Sequence, residues 1–244
     1  MSEVIAVASG KGGTGKSTVC AGIGTALAAS GFSVILLELD FGFRCLDVFF
    51  GLDGKVRYDI YDYSCGRCLL KECINKVTSV PGLSLICAPS EIYAEPDEQK
   101  LSEALFRLKE LYDFVIIDVG AGKHNDLTEI MKQADRIFLV TTPDDISIRA
   151  VSHLSEKLYR MGCTDQRLII NRIHKKYIEN EIVENLDYVI DKSGLQLIGA
   201  VPESMDLTLF YGSGKHLSES SSVYAVFSAI AGRICGENKP LTIK

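Results

Sequence analysis

Residues 10–17 read Gly10-Lys11-Gly12-Gly13-Thr14-Gly15-Lys16-Ser17. They follow the apolar run Val4 to Ala8 and open a helical pattern that runs from about Lys16 to Ser30. The spacing is G-x-x-x-x-G-K-[ST], in a strand–turn–helix context. Glycines let the backbone curl so that successive N–H groups converge on an anion, and the helix adds the positive end of its dipole. Such a loop is suited to a nucleotide's phosphates. Lys16 can reach the β- and γ-phosphates, the Ser17 hydroxyl can ligate Mg²⁺, and Thr18 is placed to touch the α-phosphate.

The rest of the chain fits a fold built around that turn. Ser33 to Leu39, Leu83 to Cys87, Phe114 to Asp118, Arg136 to Thr141, Arg167 to Asn171 and Leu195 to Val201 are short apolar or β-branched runs. Most are apolar at nearly every position, which suits strands covered on both faces. Segments with helical spacing lie between them, such as Glu98 to Leu111 and Ile146 to Met161. The alternation predicts an α/β fold with a doubly wound, mostly parallel sheet, the P-loop NTPase architecture. The chain has 244 residues, 47% of them hydrophobic, enough for one substantial core. With no long Pro-, Gly- or Ser-rich stretch, residues 1–244 read as a single domain. Ligands of such sheets sit at the carboxyl ends of the strands, where every polar motif of this chain falls.

Composition narrows the function. The net charge is −6, against the strongly basic footprint of an autonomous nucleic-acid binder. No signal peptide opens the chain, and no apolar run approaches the roughly 20 residues that span a bilayer. The expected setting is a reducing cytoplasm with free thiols.

Carboxylates end two of the runs. Asp40 closes the second strand, where a carboxylate can orient water near a γ-phosphate. Asp118 ends Phe114-Val115-Ile116-Ile117 and is placed to hold Mg²⁺, often through water. A guanine-reading [NT]-K-x-D motif is missing: the only near match, Asn75-Lys76-Val77-Thr78, lacks the Asp. The cofactors expected are therefore ATP and Mg²⁺.

Lys11 adds a second lysine to the phosphate loop. KGGTGKST resembles the deviant Walker A motif of the MinD/ParA family of P-loop ATPases, with Lys11 as signature lysine. In that family the equivalent lysine reaches across a dimer interface to the partner's nucleotide. The resemblance therefore implies a homodimer that sandwiches ATP, with Lys11, Lys16 and Asp40 as catalytic residues. Glu38-Leu39-Asp40-Phe41-Gly42-Phe43-Arg44-Cys45-Leu46-Asp47, continuing to Gly51, looks like the MinD pattern D-x-D-x-G-x-R-N-L-D. It favours the septum-site-determining MinD branch over ParA. Glu38 stands where that branch has Asp, and Cys45 where it has Asn, a side chain able to hydrogen-bond at the dimer interface. Val119-Gly120-Ala121-Gly122 is similar to the D-S-P-A-G and D-x-G-A-G turns of relatives, and Thr141-Thr142-Pro143 matches their TTP turn. By the same resemblance, Asn171-Arg172 and the backbone at Pro202-Glu203 cradle adenine. The likeness spans about residues 2–235.

The resemblance implies an ATP-dependent dimerising ATPase switch in septum placement, with a MinE- or MinC-like activator or effector. The alternatives are an FlhG-like or ParA-like positioning ATPase for flagella, pili or DNA, and a metabolic ligase sharing the loop. An autonomous membrane anchor is not expected. Val223 to Ile234 reads as core through Tyr224, Val226, Phe227, Ile230 and Ile234, and Pro240 interrupts the eight residues after Gly236. A partner would carry the protein to the inner membrane surface. Cys65, Cys68 and Cys73 lack a fourth ligand nearby and read as small apolar fillers, with no stoichiometric zinc or iron expected.

Overall fold

The computed structural model describes residues 2–91, 96–120, 128–174, 186–207 and 221–241. Within them the chain runs β1 (Glu3–Ala8), α1 (Lys16–Ala29), β2 (Val34–Leu39), α2 (Leu46–Phe49), α3 (Ile60–Ser64), α4 (Leu70–Cys73), β3 (Asn75–Lys76) and β4 (Leu83–Ile86). There follow α5 (Glu98–Leu111), β5 (Phe114–Val119), α6 (Thr128–Lys132), β6 (Arg136–Thr141), α7 (Asp145–Arg160), β7 (Gln166–Ile173), α8 (Leu186–Ser193), β8 (Leu197–Pro202) and α9 (Ser222–Ile234). The strands form one sheet in the order β3-β4-β2-β5-β1-β6-β7-β8. All pairings are parallel except β3 with β4. The expected sheet is thus present, with strand ends shifted by a residue or two and a two-residue antiparallel edge that no periodicity announces.

Alternate residues of the parallel strands feed two cores. Val4, Ile35, Ile117 and Leu139 pack on the side of α5, α7 and α8. Ile5, Leu36, Ile116 and Phe138 pack on the side of α1 and α9. Helix α5 shows why its segment folds this way: Leu101, Ala104, Leu105 and Leu108 recur at helical spacing and are buried, and Asp97 caps the helix through Gln99 and Lys100 N–H. Helix α1 is apolar nearly all round because β-sheet and α9 enclose it; a Cβ on Gly22 would overlap the Phe227 ring.

On α9, Val223, Phe227, Ile230 and Ile234 form the buried face, while Tyr224 and Val226 are only partly covered and flank it. Arg233 then binds the following segment back: its guanidinium donates to Lys239 O, Pro240 O and Ile198 O at 2.6–2.9 Å. Residues 242–244 lie outside the described residues. Among the described residues no helix is long and apolar enough to cross a membrane.

Strand β1 lies centrally, between β5 and β6. The chain winds to one side of it through β5 and to the other from β6 onward. A crevice opens at the carboxyl ends of strands where the winding reverses. The loop after β1 stands there.

Candidate nucleotide site

The loop 10–17 enters α1 through Gly15, which sits at φ 91°. A Cβ there would also strike the Asn171 amide, so only glycine serves. No side chain caps α1 and no acidic residue occupies its first turn. Its leading N–H groups are left for an anion. Ser9 Oγ holds the loop by donating to Lys11 O at 2.8 Å.

The two lysines of the loop part company. Lys16 is buried, with Nζ 3.7 Å from Asp40 Oδ2. Burial raises the Asp40 pKa above the usual carboxylate value, and the Lys16 charge pulls it back. Lys11 is exposed and turns to α7, with Nζ 3.6 Å from Asp144 Oδ1 and donating to Ser147 Oγ at 3.3 Å. Thr142 Oγ1 joins this group, reaching Asp144 Oδ2 at 2.6 Å and Ser147 Oγ at 2.8 Å. Against the upward push of burial, the bonds from Thr142 and Ser147 hold the Asp144 pKa down at about 2, with Lys11 acting in the same direction. The TTP turn was legible from sequence; the roles of Asp144 and Ser147 were not. An Asp three residues before a Ser at a helix start is a capping signal, and Asp144 does accept from Ser147 N–H at 3.0 Å.

Two carboxylates meet at the ends of β2 and β5, because the register sets Glu38 beside Asp118. Both are fully buried. Glu38 accepts three backbone bonds: Oε1 from Cys45 and Leu46 N–H at 2.7 and 2.9 Å, and Oε2 from Ala88 N–H at 3.2 Å. Burial still pushes its pKa up to about 7. Asp118 is raised to about 6 by burial, opposed by the Ser17 hydroxyl and by Lys16. Neither Asp118 oxygen has a hydrogen bond of good geometry. A buried carboxylate left unpaired is costly, and a cation beside Ser17 would relieve it. The residues therefore fit the Mg²⁺ expected there.

The switch segment after β2 is pinned by Arg44, whose Nε and Nη2 both lie 2.6 Å from Asp47 Oδ2. Cys45, which stands where relatives have an Asn able to hydrogen-bond at the dimer interface, faces Ser17, Glu38 and Asp118 of its own chain. Of the second switch, Val119 and Gly120 are described, and Ala121 and Gly122 lie outside the described residues.

At the far end of the cleft, Asn171 differs from the simple cradle. It is buried and its Nδ2 donates to Thr14 O at 2.8 Å, so it braces the phosphate loop from behind. That bond leaves Oδ1 as a buried acceptor with no partner. Arg172 follows in the left-handed region at φ 56°, at a bulge between β7 and β8. Pro202 ends β8, and Glu203 N–H donates to Ile173 O at 2.9 Å. Arg172 and Glu203, with Lys11 and Asp144 opposite, line a cavity of about 610 Å³ that includes Gly12 to Thr14.

Of the three cysteines at 65–73, Cys73 is fully buried and Cys68 packs against the same core, their sulfurs 3.3 Å apart. Cys65 is exposed and is no core filler.

Residues 5–217 match the CobQ/CobB/MinD/ParA nucleotide binding domain. The chain is 31% identical to the septum site-determining protein MinD of Bacillus subtilis, over all of this chain and 92% of that one. The MinD of Thermotoga maritima is 30% identical over 99% of this chain and 91% of its own length. Among solved structures, the MinC:MinD cell division protein complex of Aquifex aeolicus superposes with a TM-score of 0.91 at 30% identity, covering 99% of each chain. The Pyrococcus horikoshii MinD complexed with Mg-ADP shares the fold, with a TM-score of 0.84 at 24% identity over 96% of each chain.

Proposed function

The chain belongs to the CobQ/CobB/MinD/ParA nucleotide-binding family and, within it, to the MinD proteins, and on that premise we propose that it is an ATP-hydrolysing switch that dimerises on ATP and acts in placing the division septum. The observation that carries this reading is the division of labour between two lysines of one loop. Lys16 is buried beside Asp40, where it serves the nucleotide of its own chain. Lys11 is exposed and held by Asp144 and Ser147; in the dimer it exchanges these partners for the second chain's nucleotide. A relative's complex with MinC supports a protein effector on the dimer.

The loop amides and Lys16 bind and orient the phosphates, and Lys16 neutralises charge that grows on the β–γ bridge. Asp40 positions the attacking water and accepts its proton; its raised pKa brings it nearer a working base. Ser17, and Asp118 through water, would hold Mg²⁺, which would supply charge neutralisation on the phosphates. Asn171 gives ATP its preference over GTP. Nδ2 is committed to Thr14 O, so Asn171 keeps only the buried acceptor Oδ1 for a base; once nucleotide binding brings the two together, Oδ1 would accept from the adenine amino group but would meet the guanine carbonyl as one acceptor against another.

Calorimetry with Mg²⁺ present tests the nucleotide. ATP is expected to bind at least about tenfold tighter than GTP, the effect of one mismatched buried acceptor. Equal or tighter GTP binding overturns the assignment. The cellular role is tested by deleting the gene in its host. Misplaced septa are the expected outcome; normal septa with lost motility would move the protein to a flagellar role.

A further inference from the structure

The switch segment carries a thiol to the cation end of the site. Bonds from Cys45 and Leu46 N–H to Glu38 fix the start of α2. The Cys45 sulfur and one oxygen each of Glu38 and Asp118 consequently lie within 4.8 Å of one another. Both carboxylates are fully buried, and neither Asp118 oxygen has a hydrogen bond of good geometry, the Ser17 hydroxyl and the Cys20 thiol being the groups nearest to giving one. A thiol does little for them, since S–H is a weak donor. A divalent ion would engage all three groups at once: the Asp118 oxygens, the Cys45 sulfur and the lone pair that Glu38 has left beside its three backbone bonds.

The donor set decides which ion. Mg²⁺ takes oxygen ligands in a strict octahedron and keeps much of its water, so a sulfur adds nothing to its affinity. Zn²⁺ binds thiolate and carboxylate together, with Zn–S about 2.3 Å and Zn–O about 2.0–2.2 Å. A tetrahedron of those bonds spans about 3.5 Å between ligand atoms, so the three groups need to close in by at most about 1.3 Å. The fourth position stays open to water or a phosphate oxygen.

We propose that Glu38, Cys45 and Asp118 form a site for a thiophilic divalent cation, Zn²⁺ in the cell, selected by the Cys45 sulfur. Binding forms the Zn–S bond and releases the thiol proton to solvent, with no change in oxidation state. Because Asp118 is shared with the proposed Mg²⁺ position, zinc would compete there. Only that competition rests on the ATPase reading; zinc binding itself needs no nucleotide. The site is separate from Cys65, Cys68 and Cys73, on which the expectation of a zinc-free protein was based.

Titration of the reduced, nucleotide-free protein with Cd²⁺ tests it, read by the ultraviolet sulfur-to-cadmium charge-transfer band, with Zn²⁺ affinity from competition against a chromogenic chelator. Cys45→Ser is expected to lose one thiolate's share of the band and to weaken Zn²⁺ binding at least about tenfold. The double variant Cys68→Ser/Cys73→Ser should keep the Cys45 share. Asp118→Asn, which keeps the sulfur, should lower Zn²⁺ affinity as well and covers the case in which Cys45→Ser does not fold. A band and a Zn²⁺ affinity unchanged in Cys45→Ser, or an affinity unchanged in Asp118→Asn, overturns the proposal. Neither result bears on ATP binding, which the calorimetry above reads separately.

Discussion

Lys11→Ala is expected to lower ATP hydrolysis at least about 100-fold while changing the monomer's affinity for nucleotide little. A preorganised cation that meets charge developing in the transition state is worth about 10²–10³ in rate, and more when a partner supplies it. Nucleotide binding should persist because the loop amides and buried Lys16 are untouched. The contact Lys11 makes within its own chain does not trap it. The Lys11–Asp144 pair spans 3.6 Å with both side chains nearly half exposed, and such surface pairs contribute about 0–1 kcal/mol. Giving it up for a partner's phosphate would therefore weaken dimerisation by no more than about fivefold for each protomer, or about 30-fold for the two together. Light scattering with a non-hydrolysable ATP analogue should show a wild-type dimer and a strongly weakened Lys11→Ala dimer. Undiminished hydrolysis in the variant, or a wild-type dimer equally strong without nucleotide, would count against the switch mechanism.

Glu38→Ala should cost about 3–5 kcal/mol of stability, since it strands three buried N–H groups, each worth about 1–3 kcal/mol when unpaired, with some relaxation. The groups are those of Cys45, Leu46 and Ala88. Glu38→Gln is milder, because one amide oxygen still serves Cys45 and Leu46 while its nitrogen faces the Ala88 donor. The two substitutions also report on pH. Burial raises the Glu38 pKa from 4.5 to about 7. Between those values the folded protein keeps a proton that the unfolded chain releases. Stability from this group is therefore full below about pH 4.5, falls as pH rises, and levels off above about pH 7, a total of about 3 kcal/mol. Asp118, raised to about 6, acts with the same sign. Urea unfolding of nucleotide-free protein in chelator should show the wild type less stable at pH 7.5 than at pH 5. Glu38→Gln should flatten much of that slope and leave the Asp118 share. An identical slope in both proteins would show that Glu38 is ionised throughout.

The parts of the site that were legible in the sequence are those a few consecutive residues can build alone. Gly10 to Ser17 dictates its own turn: the glycines permit it, and the following helix directs its N–H groups. Asp40 and Asp118 could be placed because each ends an apolar run, and a run covered on both faces announces a parallel strand. Helices α5 and α7 were legible for the same local reason, through their spacing. Asn171 was singled out as a base contact, but the bond it makes was not. That its amide would brace Thr14, 157 residues earlier in the chain, depends on β7 lying two strands from β1.

What only the tertiary structure decided is which side chains face one another across that framework. A carboxylate at position 38 reads as a conservative replacement until the β2–β5 register sets it against Asp118 and three backbone donors close on it. Cys45 reads only as the loss of an interface Asn until those same bonds turn it toward Glu38 and Asp118. Lys11 could be recognised as the second lysine of the loop, but its hold on Asp144 and Ser147 exists only because β6 pairs with β1 and delivers the start of α7 to the loop's edge. Local backbone preference travels with the sequence; burial, pKa and partnership depend on strand order and register, which are settled by packing both faces of the sheet at once.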